Sequence, residues 1–121
     1  MKTLTPAEEQ IMQVLWEIEQ GFVKDILARL PEPKPAYNTV STVVRILEMK
    51  GFVNHKAYGK AHEYLPVISR EEYLRYTMNS MVEGYFGGSF KNLVSFFVKE
   101  KDLKLSDLDE LLNEKTKNKK R

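Results

Sequence analysis

Cysteine is absent from the 121 residues, which leaves no disulfide framework, no thiolate metal site and no cysteine nucleophile. Long apolar runs are absent too. No stretch approaches the roughly 18 residues that a membrane span requires, and the start, MKTLTPAEEQ, lacks the apolar core of a secretion signal. Histidine occurs only twice, and a formal net charge of +2 exerts little overall pull on a polyanion. P-loop, GxSxG, HExxH and GxGxxG patterns are missing, and every carboxylate can be placed as a helix cap or a solvated charge, so no catalysis is expected. With 42% hydrophobic and 30% charged residues, the expectation is a soluble, cytoplasmic chain needing no cofactor and binding no membrane directly. Its length fits one domain, or one small domain with an appendage.

The charge is unevenly spread. Met1 to Pro33 holds three bases and six acids, for −3, whereas Lys34 to His62 holds five bases and only Glu48, for +4. A basic centre in an otherwise balanced chain is the electrostatic footprint of a polyanion partner, although a solvated basic face has the same signature.

Local signals divide the first half into three helices and a hairpin. In LTPAEEQIMQVLWEIEQG, Thr5 can cap, Pro6 suits the first helical position and Glu8 completes a capping box. Ile11, Val14, Leu15 and Ile18 recur at helical spacing, and Gly21 is the expected stop. FVKDILARLP reads as a short second helix ending at Pro31, with Phe22 where a polar cap would be usual. Pro31, Pro33 and Pro35 then make a stiff connector. A third helix is expected from Asn38 as cap to Lys50, with Gly51 as its left-handed stop. FVNHK and HEYLPV alternate around Gly59 and predict a β-hairpin.

That third helix is divided by chemistry. Val40, Val43, Val44 and Leu47 share one face, and Asn38, Ser41, Thr42, Arg45 and Met49 share the other. A solvated helix favours Glu, Lys and Ala. Short hydroxyl and amide side chains beside an arginine suit phosphates and base edges instead, with Arg able to take guanine through two hydrogen bonds. The same small-residue face could pack on another protein. Lys56, Tyr58 and Lys60, at or near the hairpin tip, could lie on the flanking backbone or minor groove. His55 and His62 could face each other across the hairpin, but two imidazoles without cysteine make a poor metal site, and none is expected.

From Ser69 onward the chain predicts a fourth helix to about Tyr85, opened by a Ser69/Glu72 capping box. A break at Gly87, Gly88 and Ser89 precedes a fifth helix over SFKNLVSFFVKE, and a sixth over LSDLDELLNEK is capped by Ser106. Tyr73, Tyr76, Met81, Tyr85, Phe86, Phe90, Leu93, Val94, Phe96, Phe97, Leu108, Leu111 and Leu112 exceed what three short helices can bury in one another. They either pack on the first half of the chain or form a symmetric dimer interface. The expected fold class is mainly α with a small β-hairpin: a winged helix-turn-helix DNA-binding domain over 1–68 and a helical dimerisation segment with a basic tail over 69–121.

LTPAEEQIMQVLWE, YNTVSTVVRILEMKGFV and ISREEYLRYTMNSMVEGYFGGSFKNLVSFF together resemble the penicillinase-repressor family of bacterial transcriptional regulators, the BlaI/MecI/CopY type, over nearly the whole chain. A symmetric dimer can read a palindromic operator with two recognition helices, and the resemblance implies a homodimeric winged-helix repressor that blocks its target promoters, with Thr39, Ser41, Thr42 and Arg45 on DNA. It also implies, for antibiotic-responsive members, a membrane-bound sensor with a cytoplasmic zinc-protease domain that triggers cleavage of the repressor. By position the cut falls at Phe96–Phe97, where those members have Asn-Phe and this chain has Phe96. The cysteine motif of copper-responsive members has no counterpart here. Two alternatives remain: a winged-helix module for protein assembly, and a repressor released by a signal other than proteolysis.

Overall fold

In a computed structural model, which describes residues 1–102, 104, 106, 107, 109 and 110, the elements run α1 (Pro6–Ile18), α2 (Val23–Arg29), α3 (Tyr37–Met49), β1 (Val53–Tyr58), β2 (Ala61–Pro66), α4 (Arg70–Tyr85) and α5 (Phe90–Lys101). Three helices followed by a two-stranded antiparallel hairpin make the expected winged helix-turn-helix. Leu108, Leu111 and Leu112 of the expected sixth helix, and the basic tail, lie outside the described residues.

Chain compactness gives two units, Met1–Thr77 and Met78–Arg121. The sequence boundary after Ile68 marks the start of α4, whereas the first unit continues through its opening turns. The reason is aromatic. Tyr73 is buried beside Phe52 and Trp16, with ring centroids 5.7 and 6.0 Å away, and its hydroxyl accepts the Leu4 N–H at 2.9 Å. Trp16 Nε1 donates to the Ile68 carbonyl at 2.9 Å.

The core of this unit forms where the apolar stripes of α1, α2 and α3 meet the hairpin. Met12, Leu15, Ile26, Val40, Val44, Leu47 and Phe52 are fully buried, and Val43 packs at the edge. Each such aliphatic side chain contributes about 1.5–3 kcal/mol relative to exposure.

The helix ends fix the entry and exit of α3. α1 opens as expected, with Thr5 Oγ1 accepting the Glu8 N–H at 3.2 Å and Glu8 Oε1 accepting the Thr5 N–H at 2.8 Å. Two boundaries differ from expectation. α1 ends at Glu19, which takes the positive φ of 74°, and not at Gly21. Gly21 instead exchanges both backbone hydrogen bonds with Tyr64, at 2.9 and 2.8 Å, as an extra rung on the wing. A Cβ there would lie 2.7 Å from the terminal Cδ1 of Ile18, which would have to swing aside. α3 starts at Tyr37 with Ala36 as its cap, and Asn38 is inside the helix. The proline connector delivers Ala36 extended, and its carbonyl accepts the Val40 N–H at 3.2 Å as the first bond of the helix; alanine has no side-chain acceptor, so α3 opens without a side-chain cap.

Other ends behave locally. Phe22 cannot cap with its ring, and the Asp25 carboxylate takes its N–H at 2.9 Å. α2 stops at Arg29 because Leu30, preceding Pro31, is extended, and Lys34 Nζ closes the end by donating to Leu27, Ala28 and Leu30 carbonyls. At the end of α3, Gly51 at φ 83° donates to Glu48 O and Phe52 donates to Leu47 O, at 3.0 and 2.9 Å. This Schellman turn also buries Phe52 beside Leu47.

In the second unit, Gly87 and Gly88, both at positive φ, turn the chain after α4, and Ser89 Oγ accepts the Asn92 N–H to open α5. The rings of Phe86 and Phe96 lie 5.7 Å apart. Among the described residues, none of α5 is buried.

Candidate nucleic-acid interface

Burial of Val40, Val44 and Leu47 fixes the rotation of α3, so the remaining face is presented by necessity. Asn38, Thr39, Thr42, Arg45 and Met49 are exposed, and Ser41 is half-buried. Two of these side chains fold back on their own helix. Thr42 Oγ1 donates to the Asn38 carbonyl at 2.9 Å, and Arg45 Nη2 donates to Ser41 Oγ at 3.0 Å. Arg45 therefore waits in a low-cost position on the helix and retains free N–H groups for an incoming acceptor.

The wing is tied to this helix. His55 Nδ1 on β1 lies 2.6 Å from Glu48 Oε2 on α3. His55 and His62 do meet, their rings stacked 4.0 Å apart and 9° from parallel. Stacking directs the ring nitrogens sideways rather than at a shared point, and no cluster of three metal-ligating side chains occurs among the described residues. The hairpin register pairs His55 with Tyr64 and Ala57 with His62 on one face, and Lys56 with Glu63 on the other. The three wing residues are thus not equivalent. Lys56 is opposite a carboxylate, Tyr58 lies 5.8 Å from the Phe22 ring, and Lys60 borders a cavity shared with α3.

That cavity, of about 540 Å³, is bounded by α3, the start of α2 and β2. Tyr37, Ser41 and Arg45 contribute from α3, Phe22, Val23 and Lys24 from the region of α2, and Lys60, Ala61, His62 and Tyr64 from the hairpin. Burial, with Glu48 close by, pushes the Tyr64 phenol above its usual value even though Arg45 acts the other way, so it remains a neutral O–H donor. Phe22, Lys24, Tyr37 and Tyr64 were not legible as site residues. The Gly21–Tyr64 rung, for which no local pattern exists, helps bring the start of α2 to the wing.

The residues assigned from sequence to a dimer interface separate into two groups. Tyr73 is buried in the first unit, and Tyr76 packs against that same core, so Tyr73 cannot serve an interface while the fold is intact. Met81, Tyr85, Phe90, Val94, Phe96 and Phe97 are exposed, and Phe86 and Leu93 are half-buried. Phe96 and Phe97 lie in the middle of α5. No helix among the described residues is long and apolar enough to cross a membrane.

Comparison with known proteins places this geometry. A family described as penicillinase repressor matches residues 4–116. The methicillin resistance regulatory protein MecI of Staphylococcus aureus (strain N315) is 24% identical over 111 residues, covering 91% of this chain and 90% of that protein. The penicillinase repressor of Bacillus licheniformis is 24% identical over 121 residues, covering 98% of this chain and 94% of that one. Among solved structures, the DNA binding domain of the repressor BlaI in solution superposes with a TM-score of 0.51 at 26% identity, covering 60% of this chain and 94% of that domain.

Proposed function

Given that the chain belongs to the penicillinase repressor family, a family of repressors and not of enzymes, we propose that it represses transcription by binding operator DNA as a homodimer. The observation that carries this reading is the outward face of α3. Its buried stripe holds the helix rigidly, leaving Asn38, Thr39, Ser41, Thr42 and Arg45 facing out beside a wing bearing Lys56, Tyr58 and Lys60. Inserted into a major groove, Arg45 would take a guanine edge, and the threonine methyls would pack on thymine methyls. Residues 1–68 would bind DNA in the cytoplasm, on the nucleoid, and residues 69–121 would join two copies.

The exposed apolar side chains of α4 and α5 support the dimer, since nothing among the described residues covers them. A two-fold axis through this segment would set two α3 helices about 34–36 Å apart, one per successive major groove of a palindromic operator. Release by a sensor protease would cut Phe96–Phe97. Because that bond lies mid-helix, α5 must unwind before a protease can hold it extended.

The test is selection of duplexes from a random pool by the full chain. Enriched sequences should carry two half-sites related by two-fold symmetry, centred about 10–10.5 bp apart or a multiple of it. Enrichment of a lone half-site would overturn the dimer reading. No enrichment at all would overturn DNA reading and make the α3 face a protein-contact surface.

A further inference from the structure

The cavity beside α3 extends past the residues assigned to the duplex, to Phe22, Lys24, Tyr37 and Tyr64. Its volume of about 540 Å³ falls within the roughly 300–1,000 Å³ of small-molecule sites. Three cations, Lys24, Arg45 and Lys60, line it, and no carboxylate among the described residues does. Phe22, Tyr37, His62 and Tyr64 supply aromatic walls.

Its floor is the most telling part. Tyr64 lines the cavity and is only 3% exposed. No buried side-chain nitrogen or oxygen among the described residues lacks a partner, so this hydroxyl is not a stranded donor; where it meets the cavity it meets water. An entering acceptor can take the place of that water. Ser41, Arg45 and Lys60 are shared with the face assigned to the duplex, whereas Phe22, Lys24, Tyr37 and Tyr64 are not. A small anion could use both sets. Its charge would be held between Tyr64 and the three cations, and a flat apolar body would lie against the aromatic walls.

We propose that this cavity binds a small aromatic carboxylate, which excludes operator DNA by occupying Ser41 and Arg45 and so relieves repression without cutting the chain. The competition half of this proposal rests on the DNA-binding reading above, whereas the cavity half does not. Both ligands require the same guanidinium, so their occupancies are mutually exclusive.

The probe is naphthoate, with naphthylmethanol as its uncharged counterpart, titrated by fluorescence into the full-length protein. Naphthoate should bind saturably and naphthylmethanol much more weakly. Tyr64→Phe should weaken naphthoate about tenfold, as expected for one lost charge-assisted hydrogen bond, while weakening duplex far less, because the ring is kept and the duplex contacts named above do not include this hydroxyl. Lys24→Gln should weaken it severalfold. In wild-type protein the apparent duplex Kd should then rise in proportion to naphthoate concentration. Absence of saturable binding, equal binding of the alcohol, indifference to Tyr64→Phe, or a complex of duplex, protein and naphthoate together would each overturn the proposal. Failure of wild-type protein to bind duplex without probe would overturn the repressor reading instead, and the naphthoate titration would still decide independently whether the cavity binds.

Discussion

Lys50, the last residue before the turn that ends α3, donates from Nζ to Glu8 Oε1 at 2.7 Å, the same oxygen that accepts the Thr5 N–H opening α1. One buried carboxylate therefore caps the first helix and fixes the far end of the third. Burial alone would raise the Glu8 pKa, but the Lys50 hydrogen bond and the Thr5 N–H outweigh it and hold the group below its ordinary 4.5. A carboxylate with a depressed pKa stabilises the fold above its unfolded value, and that contribution disappears as pH falls through the folded one. Urea denaturation from pH 7 towards pH 3 should show this loss below about 4.5, and Glu8→Gln should remove that part of the pH dependence. Lys50→Ala, which leaves Glu8 held only by its hydrogen bond from Thr5, should cost about 1–3 kcal/mol at neutral pH.

Gly21 and Gly51 should respond differently to substitution. At Gly21 a Cβ crowds the terminal methyl of Ile18, which can swing aside, and the Asp25 Cβ, so Gly21→Ala should cost up to about 1 kcal/mol, and the bulkier Gly21→Asn more. At Gly51 a Cβ meets nothing within 4 Å, and only the positive φ matters. Gly51→Ala should cost about 1 kcal/mol, and Gly51→Asn less, because Asn tolerates that backbone region. Urea midpoints for the four variants check the contrast.

Tyr73 and Phe97 separate the roles of the two units. Tyr73→Phe leaves the Leu4 N–H without its buried acceptor and should cost about 1–3 kcal/mol, yet sedimentation should find its oligomeric state unchanged. Phe97→Glu places a charge on the exposed apolar side of α5. It should keep its helix content by circular dichroism, sediment as a monomer and bind operator more weakly.

Arg45 and Lys56 should fail on DNA in different ways. Arg45→Ala should cost about 1–3 kcal/mol and relax preference at one base pair, whereas Lys56→Ala should weaken all sequences alike and reduce the salt slope by about 1. Titrations of single-base operator variants over a salt series distinguish the two. A uniform loss for Arg45→Ala would make it a phosphate contact.

The parts of the fold legible in the sequence are those decided within a few residues. The Thr5–Pro6–Glu8 box, the Ser69–Glu72 box, the Gly51 stop and the Gly59 turn each settle their own hydrogen bonds, so residue type and spacing sufficed. The α3 face was legible for the same reason, because four apolar positions at helical spacing fix what the other side presents. Gly21 misled because a glycine after a helix is a stop by local rules, while its actual partner, Tyr64, lies on the hairpin. Tyr73 misled because an aromatic in an amphipathic helix does not say which neighbour buries it. The cavity was invisible because its walls come from three elements joined only in the folded chain.

The central claim, that the α3 face reads DNA sequence, is tested most directly by fluorescence anisotropy of the full chain. The duplexes are the one from upstream of its own gene and a shuffled counterpart, across a salt series. If α3 reads sequence, the native duplex should be preferred by at least about a thousandfold, and the preference should persist as salt rises. Binding to neither duplex, or equal binding to both that vanishes with salt, would contradict it.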